Sequence, residues 1–228
     1  MLTLLQFADS ALPIGAQAHS FGLETLTSEG TLTVATLELF LQDVLWESGG
    51  VEALFCRAAF NLAHPPALDS FVVDWLALNE RLGALRPARE SRAASATLGR
   101  RFLTLALGLL PDDCLQTALA AAKQRGTDIH HAAAFGLVGG AAGLDETATL
   151  LAYLQQSLTS ALMAAQKLLP IGQSRVMEIL WRLQPAVIAA ANRSIGADWR
   201  GVTVPSFVLL ADLAGMRHVS LPVRLFIS

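Results

Sequence analysis

Leu37-Glu38-Leu39-Phe40-Leu41-Gln42-Asp43-Val44-Leu45 sets the pattern of this chain. Leu37, Phe40, Leu41, Val44 and Leu45 recur at i, i+3, i+4, i+7 and i+8, the spacing of one face of an α-helix. Leu54, Phe55, Ala58, Ala59 and Leu62 repeat it after Gly49-Gly50. Working outward, the same period returns while strand-like alternation is almost absent. It predicts helices over 69–81, after the break at Pro65-Pro66, and from Pro87, suited to a first turn, to Leu110. Further helices are expected near 113–124, 129–143, 146–169, 173–191 and 206–216, with Gly196 to Pro205 the clearest non-helical stretch in the second half. Asp113 with Gln116, Asp128 and Asp145 read as N-terminal caps. Phe102 to Leu110 is apolar nearly all round, the mark of a central buried helix. Gly136, Gly139, Gly140 and Gly143 in one short helix cost helix propensity, which close approach to a neighbouring backbone would offset. The expected fold is all-α: a single-domain bundle of about ten helices with one or more central buried helices. No linker or internal repeat divides residues 1–228.

Composition narrows the function. The 228 residues are 53% apolar and only 15% charged, against about 25% charged in an average protein. That excludes a disordered chain, and the shortage of polar residues predicts that some apolar surface meets a partner. A net charge of -3 with no basic block argues against nucleic acid. Cys56 and Cys114 form neither a CxxC nor a disulfide framework. The start, Met1 to Asp9, lacks the basic region of a signal peptide. The uncharged run between Glu146 and Lys167 carries Gln155, Gln156, Ser157, Thr159, Ser160 and Gln166. Leu151, Leu154, Leu158, Ala161, Leu162 and Ala165 fall on one face, which suits an amphipathic helix rather than a membrane span. A cytoplasmic, soluble protein is expected.

The search for chemistry comes back nearly empty. His19, His64, His130, His131 and His218 form no HxH, HExxH or HxxE pattern. Adjacent His130 and His131 point about 100° apart on a helix and cannot easily chelate one ion together. Lys123 and Lys167 are the only lysines and neither follows a phosphate-binding glycine loop. No catalytic, cofactor or metal residue is therefore assigned, and the chain is read as a non-enzyme. The alternative is an all-α enzyme or small-molecule-binding protein whose pocket is lined by aromatics and His130-His131. What stands out is Asp9-Ser10-Ala11-Leu12-Pro13-Ile14-Gly15, leading into His19-Ser20-Phe21-Gly22-Leu23-Glu24. Ser20 is placed to cap a short helix and Glu24 lies in its first turn. A second Leu-Pro-Ile-Gly, at 169–172, stops the long helix with Lys167 in its last turn and Gln173 just beyond.

These stretches resemble the urease accessory protein UreF family. Asp9 to Gly15 with His19 to Glu24 is similar to its N-terminal signature, and Glu90 to Ser95 with Gly99-Arg100 to its Glu-Thr-Arg segment. His130-His131 through Gly143-Leu144 resembles its glycine-rich helix, and Lys167 to Gln173 its Leu-Val-Pro-Leu-Gly-Gln turn. The ending, Arg217-His218 to Arg224-Leu225-Phe226-Ile227-Ser228, is close to its Arg-His-Glu … Arg-Leu-Phe-Arg-Ser terminus. The resemblance implies an all-α homodimer that binds UreD (UreH in some species), recruits the nickel-carrying GTPase UreG, and acts on apo-urease. Nickel and GTP would belong to the partner GTPase, leaving this chain without a cofactor of its own. By the same resemblance the partner-binding residues are His19, Ser20, Glu24, Lys167, Gln173, Arg217, His218, Arg224, Leu225 and Phe226. Glu24 and Lys167 are expected to face the GTPase, and the tail from about 217 to 228 to order against UreD. Three positions depart from the pattern: Gln17 replaces an aromatic residue, Val219 a glutamate and Ile227 an arginine.

Overall fold

The computed structural model describes residues 1–64, 68–202 and 208–227, among which every regular element is helical. In chain order these are α1 (Leu2–Phe7), α2 (Leu23–Ser28), α3 (Leu37–Val44), α4 (Gly50–Asn61), α5 (Leu68–Ala84) and α6 (Arg89–Leu109). There follow α7 (Asp113–Arg125), α8 (His131–Ala141), α9 (Glu146–Leu168), α10 (Gln173–Arg182), α11 (Gln184–Arg193) and α12 (Leu209–Arg217). One continuous core links them, from Leu4 and Phe7 to Ala214 and Phe226. No helix among the described residues is long and apolar enough to cross a membrane.

The central helix is α8, in which His131 through Gly140 are all buried. Its glycines let it lie directly against backbone. A Cβ on Gly136 would sit 1.9 Å from the Cys56 carbonyl oxygen, and one on Gly140 2.4 Å from that of Phe60. The α4–α8 crossing is therefore closer than any side chain would permit, which offsets the propensity cost of the glycines. The expectation that Phe102–Leu110 forms the central helix is corrected. Phe102, Leu103 and Ala106 are buried, but Thr104 and Gly108 are open and Leu109 is 53% exposed. Local apolarity cannot say which of several apolar helices the others surround.

Three local expectations also change. The cap of α7 is Asp112, whose Oδ1 accepts the Leu115 N–H at 2.9 Å, and Asp113 is already helical. Asp128 does not cap α8, because His130 takes that position and its N–H donates to Asn79 Oδ1 of α5 at 2.9 Å. A tertiary acceptor there replaces the local one. Gly49-Gly50 does not interrupt the run from α3 to α4, which a single π-turn (Leu45–Gly49) joins. Instead a Cβ on Gly50 would approach Arg193 Nε of α11 to 2.8 Å. The predicted 173–191 helix is two, since Pro185 has no N–H to continue α10 and sits in the first turn of α11. Asp145 does cap α9, accepting the Ala148 N–H at 2.7 Å. The last helix starts at Leu209, and the part expected at 206–207 falls outside the described residues.

Candidate functional site

The N-terminal loop is built to be rigid. Asp9 Oδ1 accepts the Ala11 N–H at 2.8 Å, and Ile14 is buried. Gly15 has φ 87°, and a Cβ there would meet Arg101 Nη1 of α6 at 2.5 Å. That guanidinium donates to the Ile14 carbonyl at 3.3 Å. Gly22, at φ 85°, precedes α2 where a Cβ would lie 2.3 Å from the Ala211 carbonyl of α12. Only glycine tolerates both the left-handed backbone and that approach. Gly22, not Ser20, occupies the cap position of α2, with no side-chain cap. Ser20 is buried, and its carbonyl takes the Leu23 N–H. His19 is buried beside Phe21, ring centroids 5.9 Å apart. Burial first, then the Arg101 charge, lowers its pKa and favours the neutral ring.

The turn at Gly22 brings Glu24 to the point where the two ends of the chain meet. Glu24 is buried, and its carboxylate accepts the Leu225 N–H at 2.6 Å and the Phe226 N–H at 3.2 Å. His218 Nε2, also buried, lies 2.7 Å from the same carboxylate. Burial pushes the Glu24 pKa up, but the hydrogen bonds from Leu225, His218 and Phe226 outweigh it and hold the group below 4.5. The Ile227 N–H reaches the Ala18 carbonyl at 2.8 Å. Lys167 of α9 lies 5.5 Å above the Phe226 ring and 3.4 Å from the Gln17 carbonyl. Arg217 makes a two-pronged contact with Glu29 at 3.0 and 2.8 Å.

Most residues picked from the sequence thus converge. His19, Ser20, Glu24, Lys167, Arg217, His218, Leu225 and Phe226 share one end of the bundle. Arg224 and Gln173 are exposed, and Gln173 is bonded to Gln166 at 3.0 Å. Glu24 lies beneath the tail rather than on open surface, while Lys167 is exposed. The tail from 217 to 227 is already seated on the single chain. Sequence reading missed Glu29 and Arg101, and no local signal marks either, since their partners are 188 and 87 residues distant.

A second polar cluster lies inside the bundle. Arg86 Nη2 meets Glu52 Oε1 at 2.5 Å, and Tyr153 OH donates to Glu52 Oε2 at 2.8 Å. His131 packs edge-on to Tyr153 at 5.4 Å and to Phe102 at 5.6 Å. Burial, then nearby arginines, depresses His130 to about 3 and His131 to about 4, so both are neutral. His130 Nδ1 lies 3.2 Å from Ser95 Oγ, as polar packing at a helix start requires. Glu52, Arg86, His131, Tyr153 and Gln156 border a cavity of about 200 Å³. Burial pushes the Cys114 thiol up to about 12 and Cys56 higher still, which makes both poor nucleophiles. No group of three His, Cys, Asp or Glu among the described residues is arranged to hold a metal ion.

Fold and site together define an all-helical protein whose main surface cluster ties its first helices to its last residues. The UreF family profile matches residues 32–184. The chain is 33% identical over 229 residues to the urease accessory protein UreF of Nostoc sp. (strain PCC 7120), covering 100% of this chain and 95% of that protein. Its counterpart in Geobacillus kaustophilus is 31% identical over 233 residues, covering 100% and 98%, and that of Lachnoclostridium phytofermentans 29% over 235, also 100% and 98%. This chain belongs to the UreF family of urease accessory proteins.

Proposed function

We propose that this protein is a cytoplasmic adaptor for urease maturation. It would scaffold UreD/UreH and the GTPase UreG on apo-urease as a homodimer, and regulate GTP-dependent nickel delivery. Nickel and nucleotide stay with the GTPase, so the adaptor itself has neither a cofactor nor a catalytic step. The observation that carries this reading is end-to-end similarity to urease accessory proteins.

Surface chemistry supports it. Leu209, Leu210, Leu213 and Met216 of α12 are exposed, and so are Val219, Val223, Leu225 and Ile227 of the tail. Apolar surface of this kind suits burial against another protein. Ile227, where the family carries arginine, adds to the apolar character at the cost of a charge. His19, Ser20, Glu24, Lys167, Gln173, Arg217, His218, Arg224, Leu225 and Phe226 remain the proposed partner-binding set, the buried ones acting through the backbone they support.

Co-expression with UreD, UreG and the urease subunits, followed by complex isolation and a nickel-dependent urease assay, tests the proposal. A complex containing all components and urease activity that requires this chain are expected. Equal urease maturation without it would refute the function. A second reading, a small-molecule-binding protein, draws on the internal cavity, where His131 Nε2 and Gln156 Oε1 have no hydrogen-bond partner among the described residues. A tightly held metabolite in mass spectra of the intact protein would favour that reading.

A further inference from the structure

We propose that the cavity bordered by α2, α4, α9 and α12 binds a small neutral amide, a compact apolar body carrying one carboxamide. The inference rests on the small-molecule reading above and names its ligand class; the same chain can still act as an adaptor. The cavity measures about 200 Å³. One of about 150 Å³ holds benzene, so a ring with one polar group fits. Leu23, Leu41, Leu45, Leu98, Leu154 and Leu158 supply apolar lining. The polar lining is a connected run in which Arg86 pairs with Glu52 at 2.5 Å, Tyr153 OH donates to Glu52, and His131 packs edge-on to Tyr153. Gln156 follows Tyr153 by three residues on α9 and so shares its face.

Three atoms of this lining are buried with no hydrogen-bond partner among the described residues: Arg86 Nε, His131 Nε2 and Gln156 Oε1. A buried polar group left unsatisfied is costly. His131 and Gln156 are only 8% and 4% exposed. Gln156 Nε2 donates to the Phe7 and Asp9 carbonyls at 3.3 and 3.4 Å, which fixes the amide and leaves Oε1 as an acceptor. Arg86 Nε can only donate, and the neutral His131 ring offers Nε2 in either role. A molecule that satisfies all three must both donate and accept, as a carboxamide does. Charge counts against the alternatives. Glu52 already neutralises Arg86, and Glu90 and Asp212 bring further carboxyl groups to the border. A carboxylate would meet three acidic side chains against one guanidinium. An ammonium would lie beside Arg86 and leave its Nε unsatisfied.

Titration of the full chain with benzamide, followed by ligand-observed NMR, tests the site, with benzoate, benzylamine and toluene as counter-probes. Benzamide should bind at least about tenfold more tightly than each of the three, the factor one well-made hydrogen bond supplies. His131→Phe keeps a ring among Phe102, Phe135 and Tyr153 but removes Nε2, and Gln156→Met removes Oε1. Each should weaken benzamide about tenfold and leave toluene unchanged. Ser160→Leu fills the cavity from α9 and should abolish binding of both, which keeps the site testable where a polar variant fails to fold. Equal binding of all four probes, or wild-type benzamide affinity in the folded variants, overturns the proposal. So does failure of benzamide to bind. A charged metabolite held by the purified chain overturns the neutral class but keeps the small-molecule reading, whereas no metabolite and no benzamide binding sinks both. Either failure leaves the adaptor reading to the urease assay.

Discussion

The α4–α8 crossing and the clamp of Glu24 on the Leu225 and Phe226 N–H groups hold chain segments by opposite means. At the crossing, glycine removes side chains so that backbone meets backbone, and the gain is shape and buried apolar area. At the clamp, a charged side chain replaces absent secondary structure, and the gain is hydrogen bonding to an ion. The first device resists changes of charge but not of volume. The second tolerates volume at Leu225 and Ile227, whose side chains point outward, but depends on ionisation.

The largest blow to the crossing side of this contrast should come from Phe102→Ala. Phe102 is fully buried, 5.2 Å from Phe135 and 5.8 Å from Phe7, and its loss should cost about 3–5 kcal/mol in urea unfolding. Gly136→Ala comes next. Its Cβ would strike the Cys56 carbonyl, so about 3 kcal/mol is expected despite the better helix propensity of alanine. A stabilising outcome would show that the helices can part freely, and the contrast would fail.

Acid should separate the two regions. His130 and His131 are neutral when folded, with pKa values of about 3 and 4, against 6.5 for an ordinary histidine. The unfolded chain therefore binds more protons below 6.5, and stability present above that pH is lost progressively toward 4. His131→Gln should flatten this slope in urea midpoints measured across the range. The Glu24 clamp, also depressed, should survive to lower pH and fail only below 4.5. Global stability is thus expected to soften before the tail is released.

A smaller effect checks the cap assignment. Asp112→Ala should cost about 1 kcal/mol of thermal stability, whereas Asp113→Ala should change it by less than about 0.5 kcal/mol. The reverse order would restore the cap to Asp113.

Much of this was readable in advance. The 3.6-residue period located most helices, and Asp145 and Pro185 carry local chemistry that acts wherever the helix sits, although the sense of Pro185 emerged only with the split it causes. The residues quoted from the N-terminal and C-terminal motifs meet at one end through Glu24, His218, Leu225 and Phe226, a meeting that no motif foretold. What escaped is of another kind. Asp128 looked like a cap by local rules, but His130 holds that position and its N–H bonds to Asn79, an acceptor 51 residues from His130. Glu52, Arg86 and Tyr153 carry no shared motif and meet only because α4, the loop between α5 and α6, and α9 bring them together.

The sequence alone therefore determined the all-α class and the place of most helices, because hydrophobic periodicity acts within a few residues. Tertiary structure decided that α8 is the centre, that Gly50 lies close against Arg193 of α11, and that Glu24 faces the chain's own tail. Those outcomes depend on which surfaces meet across 80 or more residues, and such meetings are set by packing of the whole rather than by any local pattern.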